Sequence, residues 1–223
     1  MASALLQILV ISQQVPEVEE NGYEAATYYD LFYKGAFGNY RDLLEQVTLH
    51  PLMGVYLSHF QNAQANYSQN TFPDENYARE IMQLFSIGLV QLKLDGTPRL
   101  DGEGREIPTY DNDDIREMAK VFTGLAGAEK RGGGSAAFRD ETDEVNLAAP
   151  MKLFAVEHDL TEKRILNGIT LPAGRTGLKD VQETLEILFN HPNVGPFLSI
   201  RLIQHFVKSN PTPAYVKRVA TVD

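Results

Sequence analysis

LEQVTLHPLMGVYLS, running from Leu44 to Ser58, decides the fold. Leu43, Leu44 and Val47 recur at helical spacing before it bends, and Met53, Tyr56, Leu57 and Phe60 follow at i, i+3, i+4 and i+7 after it. Between the two stripes His50 precedes Pro51. A residue before proline is pushed out of the α region by the ring behind it, whereas proline itself suits the first turn of a helix. The stretch therefore predicts two helices meeting at an elbow, with His50 at the bend. The same construction returns as LEILFNHPNVGPFLS, from Leu185 to Ser199, where His191-Pro192, Gly195 and Phe197 stand for His50-Pro51, Gly54 and Tyr56. Two elbows predict a mainly α protein, an irregular multi-helix bundle.

Working outward, Asp74 to Ile87 reads as a helix, with Tyr77, Ile81, Leu84 and Phe85 on one face and Gly88 closing it. Residues 89–110 change to short extended pieces punctuated by Asp95-Gly96, Asp101-Gly102 and Gly104, which predicts a hairpin insertion standing as a surface flap. Asp113 to Thr123 returns to helix. The glycines from Arg131 to Ser135 predict a flexible linker over 131–149. Pro150 to Phe154 and Arg164 to Leu171 read as a second small β excursion bracketing His158-Asp159, followed by the second elbow. The expected organisation is an N-terminal helical part, 1–130, and a C-terminal part, 150–223, within one truncated domain. The truncation is read from the helix opening at Pro213, which stops at Asp223, and from the apolar start at Ala4. The run from Leu5 to Ile11 is far shorter than the roughly 20 residues that span a bilayer, so no transmembrane segment is expected.

The chain has 223 residues, 20 of them Lys or Arg and 30 Asp or Glu, for a net charge of −10. That balance argues against a nucleic-acid partner. With no cysteine there is no disulfide, thiolate nucleophile or Cys-rich zinc site. The P-loop and the G-x-S-x-G elbow are missing, and the spacing of Asp95, Asp101 and Glu103 does not fit the calcium loop.

What remains are scattered polar candidates. Glu75 and Arg79 lie four apart in acid-first order, with Asn76 and Glu80 on the adjacent ridge. Glu80 would serve as a general base if burial raised its pKa. Asn76, Tyr77 and Arg201 are candidates for ligand contact. His158-Asp159, joined by Lys163, supplies an acid–base pair in a loop; the competing reading is turn chemistry, with Asp159 and Thr161 bonding local backbone. His50 and His191 could converge on a divalent metal with nearby carboxylates. Otherwise each imidazole caps the helix that follows it, accepting a free backbone N–H. Residues 21–40 concentrate Tyr23, Tyr28, Tyr29, Phe32, Tyr33, Phe37 and Tyr40, a possible glycan-stacking surface if the rings are exposed.

Three stretches together, HPLMGVYLS at His50 to Ser58, PDENYAREIMQLFSIGL at Pro73 to Leu89 and HPNVGPFLSIRLIQHFVKSNPTPAYVKRVA at His191 to Ala220, resemble the bacterial family catalogued as domain of unknown function 1800. Weaker agreement covers Ile107 to Tyr110, Val121 to Gly124, and His158-Asp159 with Lys163. At Leu125-Ala126 the chain departs from the family, whose members often place a tryptophan after the glycine. The resemblance implies a secreted or periplasmic protein and a partner that is itself an exported bacterial protein; it brings no reaction. The expected function is an interaction or assembly module. The alternative is a hydrolase-like enzyme using His50, Glu75, Arg79, Glu80, His158, Asp159 and His191, which would have to line one hollow. Glycan binding is a third reading.

Overall fold

The computed structural model of the chain describes residues 1–12, 16–20 and 22–221. In chain order its helices and strands are α1 (Ala2–Ile8), α2 (Pro16–Glu19), α3 (Gly22–Gly35), α4 (Tyr40–Leu49), α5 (Pro51–Tyr56), α6 (Asn76–Gln83), α7 (Asn112–Val121), β1 (Leu125–Ala126), β2 (Lys152–Leu153), β3 (Lys163–Ile165), β4 (Ile169–Leu171), α8 (Gly177–Phe189), α9 (Val194–Phe206) and α10 (Pro213–Ala220). The protein is mainly helical with small antiparallel β pairs.

Both elbows form. α4 ends at His50, whose backbone is extended at φ −78°, ψ 124°, as the following proline requires, and α5 starts at Pro51. In the second elbow α8 ends at Phe189 and α9 starts at Val194. α4 packs on α8, and Arg41 reaches Glu186 (3.7 Å) while Gln182 reaches Glu45 (3.3 Å). This crosswise pairing is the one that equivalent residues of two similar elbows make about a local twofold axis. Their shared glycines differ in purpose. A Cβ on Gly54 would meet Met151 at 3.0 Å, whereas one on Gly195 would find only the Ala220 carbonyl at 3.6 Å.

The core gathers around these helices. Tyr28 and Phe32 of α3, Leu43, Leu44 and Val47 of α4, Tyr77 and Ile81 of α6, Met118 of α7 and Leu185 and Leu188 of α8 are all buried in one cluster. Burial of each such side chain is worth about 1.5–3 kcal/mol. The aromatic hydroxyls keep partners there: Tyr28 donates to the Leu9 carbonyl at 2.5 Å and Tyr40 to that of Phe85 at 2.6 Å.

Residues 89–110 are not a two-stranded flap. Three short segments close on one another: Gln91 N donates to Ile107 O, Ile107 N to Arg99 O, and Arg99 N to Gln91 O. A second set, Lys93 N to Thr97 O, Asp101 N to Arg105 O and Thr109 N to Leu89 O, repeats the triangle one layer out. The register advances by one unit of sequence each time, LVQLKLDG, TPRLDGEG, REIPTYDN, so the cap has threefold pseudosymmetry. Gly96 and Gly104 sit at equivalent corners with φ of 78° and 79°, a left-handed conformation that costs glycine little. Asp95 and Asp101 accept backbone N–H groups at these turns. The triangle is docked, not hanging. Asn193, buried between α8 and α9, accepts Leu92 N at 2.8 Å and donates to the Ile87 and Val90 carbonyls at 2.8 and 2.7 Å.

The second β excursion also differs from expectation. β2 pairs with β1, and Arg164 to Leu171 folds on itself as β3 and β4 around Asn167-Gly168, both at positive φ. The connection is the three residues Leu166 to Gly168, and Asn and Gly are residues that accept its left-handed backbone. Residues 131–149, expected as a flexible linker, bury Ala136, Phe138, Val145 and Leu147 and form bridges from Glu129 to Ser135 and from Lys130 to Val145. Glycines supply corners here, and the apolar residues between them anchor the segment.

Candidate functional site

The structure disperses the residues proposed for one catalytic centre. His50 lines a hollow with Tyr23, Asp42 and Glu45, and His191 lines another with Leu166, Ile169 and Ile187. Asn76 and Glu80 lie in a third beside Tyr56 and Leu84, while Glu75 and Asp159 share a fourth. Arg79 pairs with Glu75 at 3.1 Å, half-exposed, and Arg201 lies outward on α9 over the Phe197 ring. Tyr77 offers nothing to a ligand, because it is buried against Phe122, stacked on His59 and bonded to Thr48. Among the described residues no three His, Asp or Glu side chains are grouped to hold a metal ion.

The two elbow histidines are occupied locally. His50 Nδ1 accepts Leu52 N–H at 3.3 Å and His191 Nδ1 accepts Asn193 N–H at 3.1 Å. An accepting Nδ1 leaves the ring proton of His50 on Nε2, which then donates to Thr27 Oγ1 at 3.1 Å. Thr27 passes its own hydrogen to the Glu24 carbonyl at 2.7 Å. So His50 cannot act as a base toward Thr27, and neither nitrogen has a lone pair free for a metal. Burial pushes the His50 ring down to about 4 and lowers His191 as well. Glu80 is raised by its burial, against the pull of Arg79. Its Oε2 is enclosed without a hydrogen-bond partner, and of the other candidates only Asn76 shares its hollow.

His158, Asp159 and Lys163 do come together, around Asp180, a residue the sequence did not single out. Lys163 Nζ donates to Asp180 Oδ2 at 2.8 Å, to the Asp159 carbonyl at 2.6 Å and to that of Thr161 at 3.1 Å. His158 Nε2 lies 3.3 Å from Asp180 Oδ2, its Nδ1 faces the Thr123 carbonyl at 2.9 Å, and Arg175 Nε is 3.1 Å from Asp180 Oδ1. Burial alone would push the Asp180 carboxyl up; hydrogen bonds from His158 and Lys163 outweigh it and hold the group below its ordinary value. His158, Lys163 and Asp180 are at most 1 % exposed, so no substrate reaches them. A Cβ on Gly177 would collide with Leu153 and come within 2.8 Å of His158 Nδ1, so this glycine lets α8 approach the cluster. The buried lysine fixes the loop from Asp159 to Lys163, and Asp159 adds its own turn bonds, accepting Thr161 N at 2.8 Å and Thr161 Oγ1 at 2.5 Å.

That loop is one wall of a groove of about 690 Å³ built from three separate chain segments. α7 gives the second wall through Arg116, Glu117 and Lys120, and the third carries Tyr67, Phe72, Pro73 and Glu75. The loop of the third wall is pinned at both ends. Asn62 and Asp74 exchange side-chain–backbone bonds at 2.9 and 3.2 Å, and Gln64 bonds the Val156 and Glu157 carbonyls. Tyr67 and Phe72 meet edge to face at 5.9 Å, yet are 81 % and 60 % exposed. Neither ring figured among the sequence candidates. The signal available was two aromatics, Tyr67 and Phe72, on either side of the polar run Ser68 to Thr71, in a loop that folds back through the Asn66–Thr71 bridge.

The fold and site define a mainly helical protein with a preorganised surface groove and a sealed ionic core beside it. The family described as a protein of unknown function, DUF1800, matches residues 1–222, and the chain belongs to it. No curated protein and no solved structure matches the chain.

Proposed function

We propose that this protein is a non-catalytic interaction or assembly module that docks a partner protein in the groove between the Tyr67–Phe72 loop and α7. The observation that carries the reading is the exposed aromatic pair. Two large rings held out over a rigid hollow forgo the burial that the other core aromatics enjoy, and such rings are the usual anchors of protein interfaces. Among the polar candidates, His50 is meanwhile spent on capping, His191 and Asp159 on turns, and His158 and Lys163 on the buried Asp180 cluster. A bacterial, exported setting and an exported partner belong to this reading, and the family resemblance is what supports them.

The test is a photocrosslinking residue placed at Tyr67 in a bacterium that encodes the protein, with the same residue at exposed Tyr33 on α3 as control. A discrete adduct from position 67 alone, lost when Phe72→Ala is added, is expected. No adduct, or the same adducts from both positions, rejects the docking reading, and reproducible turnover by purified protein rejects the non-catalytic one.

A further inference from the structure

We infer that the occupant of the groove is a cationic chain segment, seated with an Arg or Lys side chain between the Tyr67–Phe72 pair and Asp159. The inference rests on the docking reading above and names the chemistry of the partner. Four carboxylates line the groove, Glu75, Glu117, Asp159 and Glu162, against two cations, Arg116 and Lys120. Both cations are already engaged, Arg116 with Asp113 at 2.7 Å and Lys120 with Glu117. Of the carboxylates, Glu75 is paired with Arg79 and Glu117 with Lys120, so Asp159 and Glu162 are the acceptors left to an occupant.

Asp159 is the focus. It is only 6 % exposed, its Oδ1 is taken twice by Thr161, and its Oδ2 has no hydrogen-bond partner among the described residues. An apolar or acidic occupant would cover this oxygen and leave it desolvated without a donor, at a cost of about 1–3 kcal/mol or more for a charged group. A guanidinium or ammonium would satisfy it instead. The wall that presents the carboxylate does not need to reorganise, because Lys163 already binds the carbonyls on either side of Leu160. Opposite, the exposed rings offer π faces, which attract a cation and cover its alkyl stem. The net charge of −10 adds a long-range pull on a basic partner.

The test uses the whole chain and three fluorescein-labelled peptides, Ser-Phe-Arg-Leu-Arg-Ser and its counterparts with both arginines replaced by Gln or by Glu, read by anisotropy. The Arg peptide is expected to bind about tenfold or more tightly than either counterpart, with the difference shrinking on going from about 50 mM to about 500 mM salt. Asp159→Asn keeps the acceptor for Thr161 and should remove most of that preference. Glu162→Gln, at an exposed position, gives a smaller loss in the same direction and serves if Asp159→Asn unfolds. Equal binding of the Arg and Gln peptides, both abolished by Tyr67→Ala, overturns the cationic occupant and leaves the docking site standing. An unchanged preference in both carboxylate variants overturns it too. No binding by any peptide, together with no adduct at position 67, overturns both readings.

Discussion

At His50 the nitrogen nearest the backbone accepts the Leu52 amide hydrogen and caps α5 as Asn or Asp would, whereas His191 accepts that of Asn193 in the turn just before α9 begins. The proline after each histidine made the bend legible in the sequence, but the choice between cap and metal ligand depended on where the second nitrogen pointed, which only the packed neighbours decide. Asp180 was invisible for a related reason. On its helix it is one polar residue among several, and its importance comes from Lys163 and His158 arriving from a separate loop. Asp180→Asn leaves a buried ammonium without a compensating charge, and a stability loss of about 3–5 kcal/mol is expected in urea unfolding. Pairing Asp180→Leu with Lys163→Met removes both charges and should recover much of that loss, since a well-packed apolar pair often equals a buried ion pair. An additive double variant would show that Lys163 does not depend on Asp180.

At the scale of elements, the helices were readable where one apolar stripe faced one core, as in α6 and α7. The three-segment cap was not, although its octads are visible once the bonds are known. Each unit shares only a few residue types with the next, and Pro98 and Pro108, which cannot donate to a ladder, disguise segments that nonetheless pair. The residues from 131 to 149 misled through composition, because three consecutive glycines, Gly132 to Gly134, and a run of polar residues mask the four buried side chains that hold the segment. Asn193 fastens the cap to the second elbow by two bonds, to Leu92 and Val90, and holds the chain entering it by a third, to Ile87, a role that no local pattern announces. Asn193→Ala should cost about 2–3 kcal/mol by leaving buried amides and carbonyls unpaired. It should also raise amide hydrogen exchange selectively over residues 89–109. Uniform exchange across the chain in that variant would mean that the cap is not held there.

For the molecule as a whole, acid is the informative variable. Burial sets His50 and His59 at about 4 against an ordinary 6.5. Unfolding releases both rings to take protons, so their contribution is complete above pH 6.5 and is lost as pH falls toward 4. The expected loss is on the order of 2–3 kcal/mol for each ring. Asp180, lowered in the fold, adds its loss only below its ordinary 3.8, so the two windows separate. His50→Asn keeps a capping acceptor without a titrating ring, and urea midpoints measured across the upper window should fall less steeply than in the parent. An identical slope would assign the acid response to other groups. The cap also orders events in time. Its two triangles of backbone bonds draw on nothing outside residues 89–109, whereas the latch at Asn193 lies far downstream. During synthesis the triangle can close while most of the C-terminal half is still unmade, and the second elbow, folding last, clasps an object already finished.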